Sequence, residues 1–577
     1  MRPGRPVRAG LLAAPLVVML VACTGTGTDG TVLPPPGATS APAPSTPETV
    51  ATSTPPAPTP DDASRTSEAP AADPEPALGA AGVSAGHPLA ADAGMQILEQ
   101  GGSAVDAVIA AAFADAVIQP VTSGIGGGGA ALVLVDGEVT SYDYREVVNA
   151  EGDIPSTGVG IPGFVAGMAR LHRTHGTLPW PALLAPAVEL AEEGGPVSGF
   201  LAMTLSIPTG QQYTASLEHF RRADGAPLRE GDRLVQQELA RTMQVLADEG
   251  PEAFYEGSLA EALLEEPGID AGSLAAYEVQ VAEPASGPVD DHVLVSAAPA
   301  LPGAALVQLV QLAEAGGIGE VAPYSPDFVR LQSQAWSVAE RSVRELFGDP
   351  AFVDVPVDRL TDAGRNAAIA AEAVGAGLPL GASGSDPFRG GGNTTHISVV
   401  DEDGDAVSMT NTITHYWGSG RYVDGYFLND HLTRFTDLSS PGNTPAPGRR
   451  SVSWSAPSML LDGEGRPVLV IGTPGGQQIP NTIAAVVLRR LLHDEPLEDL
   501  VAAPRFIYTG GELVLETDDN AAELREMGYA VRVVDPALRS DFGSVNALEV
   551  DWDARTVSSV ADPHRSAGFR VTGPAGS

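Results

Sequence analysis

GGGNTTHISVVD, residues 390–401, joins a glycine-rich loop directly to a run of residues that alternate in polarity. A turn at residues 403–404 and a second alternating run, residues 406–412, come next, and this pattern is typical of a β-hairpin. The pattern places Thr394 at the start of a strand, immediately after an accessible loop. An ordinary strand that opens with threonines fits the same residues, because threonine favours strands.

A threonine hydroxyl is a weak nucleophile that needs a base beside it. A threonine at a chain terminus carries that base itself, because its free α-amino group has a pKa of about 7.7–8.0 and is partly unprotonated near neutral pH. This chemistry requires a cut immediately before Thr394. The flexible glycines let the Thr394 hydroxyl reach the carbonyl of Asn393, so the chain has a route to cut itself.

The hairpin sequences TTHISVVD and VSMTNT, followed by GSG at residues 418–420, closely resemble the start of the small subunit of the gamma-glutamyltransferase family. Members of that family are N-terminal-nucleophile hydrolases, each made as one precursor that cleaves itself in two. The resemblance implies cleavage between Asn393 and Thr394, with Thr394 as the nucleophile. It also implies that Thr412 hydrogen-bonds the nucleophile and that the two fragments stay together as a heterodimer.

The fold implied by this resemblance is the four-layer αββα sandwich of N-terminal-nucleophile hydrolases. A large-subunit region, residues 80–393, and a small-subunit region, residues 394–577, would build it jointly. The resemblance covers residues 81 to about 574, which is nearly all of the expected folded body. Without the resemblance, the residues themselves indicate only an α/β chain with mixed helices and hairpins.

The composition excludes several classes of function. The net charge of −41 and the pI near 4.4 argue against nucleic acid and anionic membrane surfaces as partners. All 32 basic residues are arginine, so a Schiff-base lysine, a pyridoxal cofactor and a P-loop lysine are absent, and no cofactor is implied. His172 and His175 lie at i, i+3 on a predicted helix, but such pairs are more often surface residues, and we expect no catalytic metal.

The N-terminus has the pattern of a targeting segment. Arginines precede an apolar run, residues 11–22, that is too short to span a membrane permanently, and Cys23 follows in a sequence that resembles a bacterial lipobox. Residues 1–23 are therefore expected to be a lipoprotein signal peptide with Cys23 lipidated, although an ordinary secretory signal fits the same pattern. Residues 24–79 are rich in Pro, Thr and Ala and are expected to be a disordered tether. The protein would be anchored by lipid on the outer face of the cytoplasmic membrane.

Two further stretches carry the family resemblance. Residues 81–150 resemble the opening of the large subunit, which implies that Arg145 binds the α-carboxylate of the donor; alone, Arg145 could be a surface residue at a strand end. Gly475 and Gly476 match the family's oxyanion motif, in which backbone N–H groups stabilise developing charge and a Cβ would intrude on the substrate. The loop at residues 439–445 is shorter than the lid of some members, which predicts an open pocket.

The resemblance breaks down where the family recognises its donor. The family pattern Leu-Asn-Asn-Gln-Met-Asp-Asp-Phe becomes LNDHLTRF at residues 428–435, and Arg434 replaces the aspartate that binds the donor's α-ammonium. Arg434 and the donor ammonium are like charges, and two such charges near 4 Å repel by roughly 4 kcal/mol at an effective dielectric constant of about 20. The family's paired serines become Ser453 and Trp454, and an asparagine becomes Thr414. All three changes fall in one subsite.

Three functions remain open on the sequence. The first is a gamma-glutamyl hydrolase or transferase that acts on glutathione-like amides and passes the acyl group to water, an amine or a peptide. It would hold the donor ammonium differently from the family, through Asp430. The second is an acylase for glutaryl-type amides, with Arg434 as a second anion contact. The third is a catalytically silent surface binding protein, which the intact Thr394, Thr412 and glycine pair argue against.

Overall fold

The computed structural model describes residues 77–376, 392–438 and 440–573, all within one compact unit. The predictions for Cys23, for the signal peptide and for nearly all of the tether lie outside the described residues. Leu78 is already fully buried, and the Arg555 side chain donates to its carbonyl at 3.2 Å. The folded body therefore includes residues just before the predicted start at residue 80.

The described strands and helices are interspersed along the chain. The strands are β1 Gly82–Ala85, β2 Gly128–Val135, β3 Glu138–Asp143, β4 Gly195–Pro196, β5 Arg233–Leu234, β6 Gln280–Ala282, β7 Ala285–Val289, β8 His292–Ser296, β9 Gly392–Val400, β10 Ala406–His415, β11 Tyr422–Val423, β12 Tyr426–Phe427, β13 Ser458–Leu461, β14 Pro467–Gly472, β15 Phe506–Thr509, β16 Glu512–Leu515, β17 Val531–Val533, β18 Asn546–Asp551, β19 Thr556–Ser558 and β20 Gly568–Val571. The α-helices are α1 Pro88–Glu99, α2 Ala104–Ile118, α3 Phe164–His175, α4 Trp180–Glu193, α5 Gly199–Ser206, α6 Pro208–Tyr213, α7 Gln237–Glu249, α8 Glu252–Tyr255, α9 Ala260–Leu263, α10 Ala271–Ala275, α11 Gly303–Ala315, α12 Pro326–Leu346, α13 Val357–Leu360, α14 Ala363–Ala376, α15 Arg434–Asp437, α16 Ile479–His493, α17 Leu497–Ala502 and α18 Ala521–Glu526.

Two antiparallel sheets form the centre of the fold. The first has seven strands in the order β20-β1-β9-β10-β2-β3-β6, and the second has six in the order β19-β18-β14-β13-β8-β7. Their facing surfaces share an apolar cluster that includes Leu132 and Val400 from the first sheet and Met459 and Val470 from the second. The sheets therefore pack face to face, with β9 and β10 against β14 and β18.

Helices cover the outer face of each sheet. On the first sheet, α1, α2 and α4 enclose one apolar core, and on the second, α11, α12 and α16 enclose another. Helix α2 is buried along its whole length, which explains its alanine-rich sequence, and it begins with a capping box between Ser103 and Asp106. The predicted four-layer αββα sandwich is confirmed. None of the helices in the described ranges has the length and apolarity that a membrane crossing demands.

The predicted hairpin is present as β9 and β10, which pair antiparallel around residues 401–405. Alternation along β9 turns Ile397 and Val399 toward the helices, while His396 faces the second sheet against Gly472. The second strand does not end at residue 412 as predicted but continues to His415, after a register shift in the pairing between residues 411 and 414. This irregularity lies directly beside the start of β9, where Thr394 is found.

Candidate active site

Thr394 lies near the start of β9, buried between the two sheets, in an uncleaved chain. Its hydroxyl oxygen accepts a long hydrogen bond from the Gly475 backbone N–H at 3.4 Å. Its backbone N–H donates to the side-chain oxygen of Asn393 at 3.1 Å. The side chain proposed as nucleophile therefore sits directly beside the glycine turn that the sequence assigned to the oxyanion.

The peptide bond before Thr394 is held from several directions. The Thr412 hydroxyl, on the neighbouring strand β10, donates to the Asn393 carbonyl oxygen. The Asn393 side-chain amide donates to the Val121 carbonyl at 2.6 Å, and the Arg565 guanidinium donates to the Asn393 side-chain oxygen and the Thr394 carbonyl, both at 3.3 Å. In the uncleaved chain Thr412 thus contacts the carbonyl that would be attacked, whereas the family resemblance implied a contact with the Thr394 hydroxyl.

The glycine turn follows β14 and leads into α16. Gly475 has φ 133° and Gly476 has φ 62°, a backbone conformation that residues with a Cβ rarely adopt. A Cβ at Gly475 would lie 3.5 Å from the Phe542 carbonyl oxygen, which is ordinary van der Waals contact. Glycine is therefore needed at Gly475 for its dihedral angle rather than for lack of space.

The cavity beside Thr394 is small and polar. It encloses about 240 Å³, including space open to solvent, and has little room beyond a water molecule. Its wall consists of Asn393, Thr394, Thr412, Thr414, His431, Arg434, Ser453, Trp454, Ser455, Gly476 and Ile479. The open pocket expected from the short loop is not found in the uncleaved chain, because Asn393 itself forms part of the wall.

Arg434 lies on this wall without a bonding partner. No acceptor in the described parts of the chain is within hydrogen-bonding distance of its guanidinium, and its Nε is fully buried. Burial lowers the pKa of Arg434, while the nearby Asp437 and Asp430 oppose this shift through charge alone. The residue that the sequence marked as a departure from the family is therefore a cation on the wall of the cavity that Thr394 also lines.

His431 is a wall residue that the sequence reasoning missed. Its Nδ1 is 2.7 Å from the Thr414 hydroxyl and 3.5 Å from a carboxyl oxygen of the buried Glu146, while its Nε2 is buried without a partner. Burial, reinforced by Arg145 and Arg434, holds the pKa of His431 well below its usual value, so the ring is neutral. The sequence contained a sign that this position differs from the family, because His431 replaces the glutamine of the family pattern quoted above.

Thr414 and Ser453, two of the predicted substrate-binding residues, line the cavity. Thr414 has φ 85°, which is unusual for a β-branched residue, and its hydrogen bond to His431 accompanies this conformation. Arg565, to which the sequence assigned no role, also belongs to the site through its contacts with Asn393 and Thr394.

Arg145 and Asp430 are not on the cavity wall. Arg145 is fully buried, so it is not a surface residue; it forms a paired contact with Asp143 at 2.6 and 3.0 Å and donates to the Ser451 carbonyl at 2.7 Å. Asp430 accepts from the backbone and the ring of His415, at 3.1 and 2.7 Å. Binding of a donor carboxylate by Arg145, and of an ammonium by Asp430, stay predictions.

The two histidines considered as metal ligands each have a structural partner. The His172 ring bonds to the Leu178 carbonyl and the His175 ring to the Tyr142 hydroxyl, both at 2.8 Å. One ring nitrogen of each histidine is therefore occupied by a contact within the protein.

The sequence matches the sequence model of the family described as Gamma-glutamyltranspeptidase over residues 90–571. The chain belongs to this family. Similar relatives include the capsule biosynthesis protein CapD proenzyme of Bacillus anthracis, 32% identical over 85% of this chain and 90% of that protein. The glutathione hydrolase proenzyme of Pseudomonas aeruginosa is 32% identical over 84% of this chain and 93% of its own length.

Among solved structures, the cephalosporin acylase from Bacillus halodurans superposes with a TM-score of 0.74 over 85% of this chain and 95% of that chain. Its identity of 23% supports the shared fold alone. The resemblance to the gamma-glutamyltranspeptidase family that the sequence indicated is confirmed, and with it membership of a family of hydrolases. The relatives include glutathione hydrolases, acylases and CapD, so the family does not by itself define the donor.

Proposed function

We propose that this family member is a self-processing threonine hydrolase or acyltransferase. It would act on amides whose acyl group ends in a carboxylate, and γ-glutamyl and glutaryl amides are both of this kind. The observation that carries the proposal is the arrangement at one peptide bond. Thr394 follows this bond, the Thr412 hydroxyl donates to its carbonyl oxygen, and the Gly475 N–H points at the Thr394 hydroxyl.

Self-cleavage would begin with attack of the Thr394 hydroxyl oxygen on the Asn393 carbonyl carbon. The peptide C–N bond breaks, the nitrogen takes up the hydroxyl proton, and an ester joins Asn393 to the Thr394 side chain. Water then hydrolyses the ester and leaves a carboxylate on Asn393 and a free hydroxyl and amine on Thr394. The Thr412 hydroxyl stabilises the oxyanion of the first step, and a donor of this kind contributes about 3 kcal/mol.

Turnover would use the groups that cleavage releases. The new α-amine of Thr394 accepts the proton of its own hydroxyl, whose oxygen attacks the donor amide carbonyl. The amide C–N bond then breaks, the amine leaves with that proton, and the acyl group stays on the Thr394 oxygen as an ester. Gly475 and Gly476 are proposed to stabilise the oxyanion with their backbone N–H groups. Water, an amine or a peptide then takes the acyl group. Departure of the Asn393 end from the cavity wall provides space for the donor.

Cleavage can be tested with the full-length chain on a denaturing gel, followed by N-terminal sequencing. We expect two fragments, the smaller starting Thr394-Thr395-His396. The Thr394→Ala variant is expected to stay intact, and the Thr394→Ser variant to cleave more slowly. A folded wild-type chain that stays in one piece would leave Thr394 without a free amine, and a tethered binding protein would become the better explanation.

We further propose that the enzyme acts outside the cytoplasmic membrane, held by lipid on Cys23. The lipobox-like sequence before Cys23 supports this location. Glutathione-like γ-glutamyl amides are natural first donors to test there, since glutathione hydrolases are among the relatives. Metabolic labelling with palmitate tests the anchor: label in the wild type and none in Cys23→Ala is expected, and an unlabelled wild type contradicts it.

A further inference from the structure

The wall of the cavity beside Thr394 carries one kind of charge. Among its residues, Arg434 is a cation, and there is no aspartate or glutamate. Two acids outside the wall act on Arg434 through charge: Asp437 is exposed, and Asp430 is turned toward His415, which bonds to both of its carboxylate oxygens. An acyl group bound in this cavity therefore meets a cationic side chain and no carboxylate on the wall.

The Arg434 guanidinium lacks hydrogen-bond acceptors among the described residues. Its Nε is buried without an acceptor, and the nearby Asp437 and Asp430 act on the guanidinium through charge alone, so its hydrogen-bonding capacity is unused. Acceptors within bonding distance of this guanidinium are lacking throughout the described residues, although the other buried arginines of the site are bonded, Arg145 to Asp143 and Arg565 to Ser540 and Asn393. A planar guanidinium matches a carboxylate through two parallel hydrogen bonds.

His431 adds a neutral donor beside this cation. The Thr414 hydroxyl has no other acceptor in the described residues, so we assign its proton to the bond with Nδ1, which leaves the ring proton on Nε2. That Nε2 is buried and has no partner. Behind the ring, burial raises the pKa of Glu146 to about 8, so its carboxyl is neutral at pH 7 and supplies no counter-charge.

We infer that the acyl group taken by Thr394 is that of a dicarboxylic acid monoamide without an α-ammonium, its free carboxylate bound by Arg434 and the His431 Nε2–H. The inference rests on the proposed acyl transfer and narrows it to one class of donor. An α-ammonium in the same position would face Arg434 and a neutral ring, and no wall carboxylate would compensate it. Glutaryl amides belong to the inferred class, and γ-glutamyl amides do not.

Three anilides separate these possibilities in the full-length, self-cleaved protein. Glutaryl-p-nitroanilide and γ-glutamyl-p-nitroanilide have the same chain length and leaving group and differ only in the α-ammonium, while butyryl-p-nitroanilide lacks both charged groups. We expect kcat/KM for the glutaryl compound to exceed that for each of the others by at least about 10-fold. Arg434→Gln should bring the glutaryl and butyryl values close together, and Arg434→Asp should shift the preference toward the γ-glutamyl compound.

N-terminal sequencing of each variant gives an independent check of folding, since Arg434 does not contact the bond that is cut. A cleaved, active wild type that prefers the γ-glutamyl compound overturns the inference and leaves the proposed function intact. An unchanged glutaryl-to-butyryl ratio in a cleaved Arg434→Gln variant also overturns it. A cleaved wild type that releases nitroaniline from none of the three compounds overturns the proposed acyl transfer as well.

Discussion

Replacing Thr412 with valine removes one hydroxyl from a buried position and leaves the side-chain volume almost unchanged. That hydroxyl donates to the Asn393 carbonyl oxygen and accepts from the Thr414 N–H at 2.8 Å. Loss of one donor to a developing oxyanion costs about 2.7–4 kcal/mol of barrier, so self-cleavage should slow by roughly 10²–10³-fold. The unpaired Thr414 N–H should also lower the free energy of unfolding by about 1–3 kcal/mol.

The measurement is a time course of newly synthesised chain on a denaturing gel, with the half-time of precursor loss as the readout. Thr410→Val is the matched control, because Thr410 lies on the same strand and its hydroxyl bonds to His396 at 2.8 Å rather than to the bond that is cut. Thr412→Ser should restore most of the rate. A Thr412→Val chain that cleaves within about threefold of the wild type would refute the role given to this hydroxyl.

Three other predictions concern stability. Burial alone would raise the pKa of Asp562, but the charge of Arg505 holds this pKa at about 2 instead of 3.8. The ionised carboxylate therefore stabilises the fold above pH 4 by about 2 kcal/mol, and this contribution is lost as the pH falls toward 2. In the Asp562→Asn variant, the loss of unfolding free energy in acid, measured by denaturant unfolding, should be smaller. Burial raises the pKa of Glu146 from 4.5 to about 8, so the wild type should lose stability as pH rises between these values, and the thermal midpoint of Glu146→Gln should lose that slope. A Cβ at Gly472 would lie 2.2 Å from the His396 ring, so Gly472→Ala should reduce the yield of folded protein, whereas Gly463→Ala, with no atom within 4 Å, should not.

Under the proposed function, the uncleaved site links maturation to substrate access. Asn393 lies on the cavity wall, its side chain is fixed by Val121 and Arg565, and its carbonyl would be the group attacked. The contacts that hold this residue would therefore also fill the space that a donor needs. Under the proposed function, one cut provides the α-amine base and opens the cavity.

Local sequence patterns determined much of this protein. The two alternating runs on either side of the turn at residues 403–404 specify a hairpin, because strand residues alternate between two faces, and the preceding glycines mark where its first strand begins. The Gly475–Gly476 turn could be identified because positive φ angles demand glycine. The family resemblance, which is confirmed, and the prediction of Thr394 as the nucleophile both rest on these short stretches, since their chemistry depends on neighbours in sequence.

Only the tertiary structure decided which of these residues meet. Thr412 contacts the Asn393 carbonyl from the neighbouring strand, and Arg565 contacts Asn393 from a position 172 residues away in sequence. The partners of buried charges could not be predicted either: Arg145 is bonded to Asp143, whereas Arg434 has no bonding partner in the described chain. Burial and pairing depend on long-range packing, because a charged side chain pairs with whichever opposite group the fold places near it. A local sequence pattern does not contain that information.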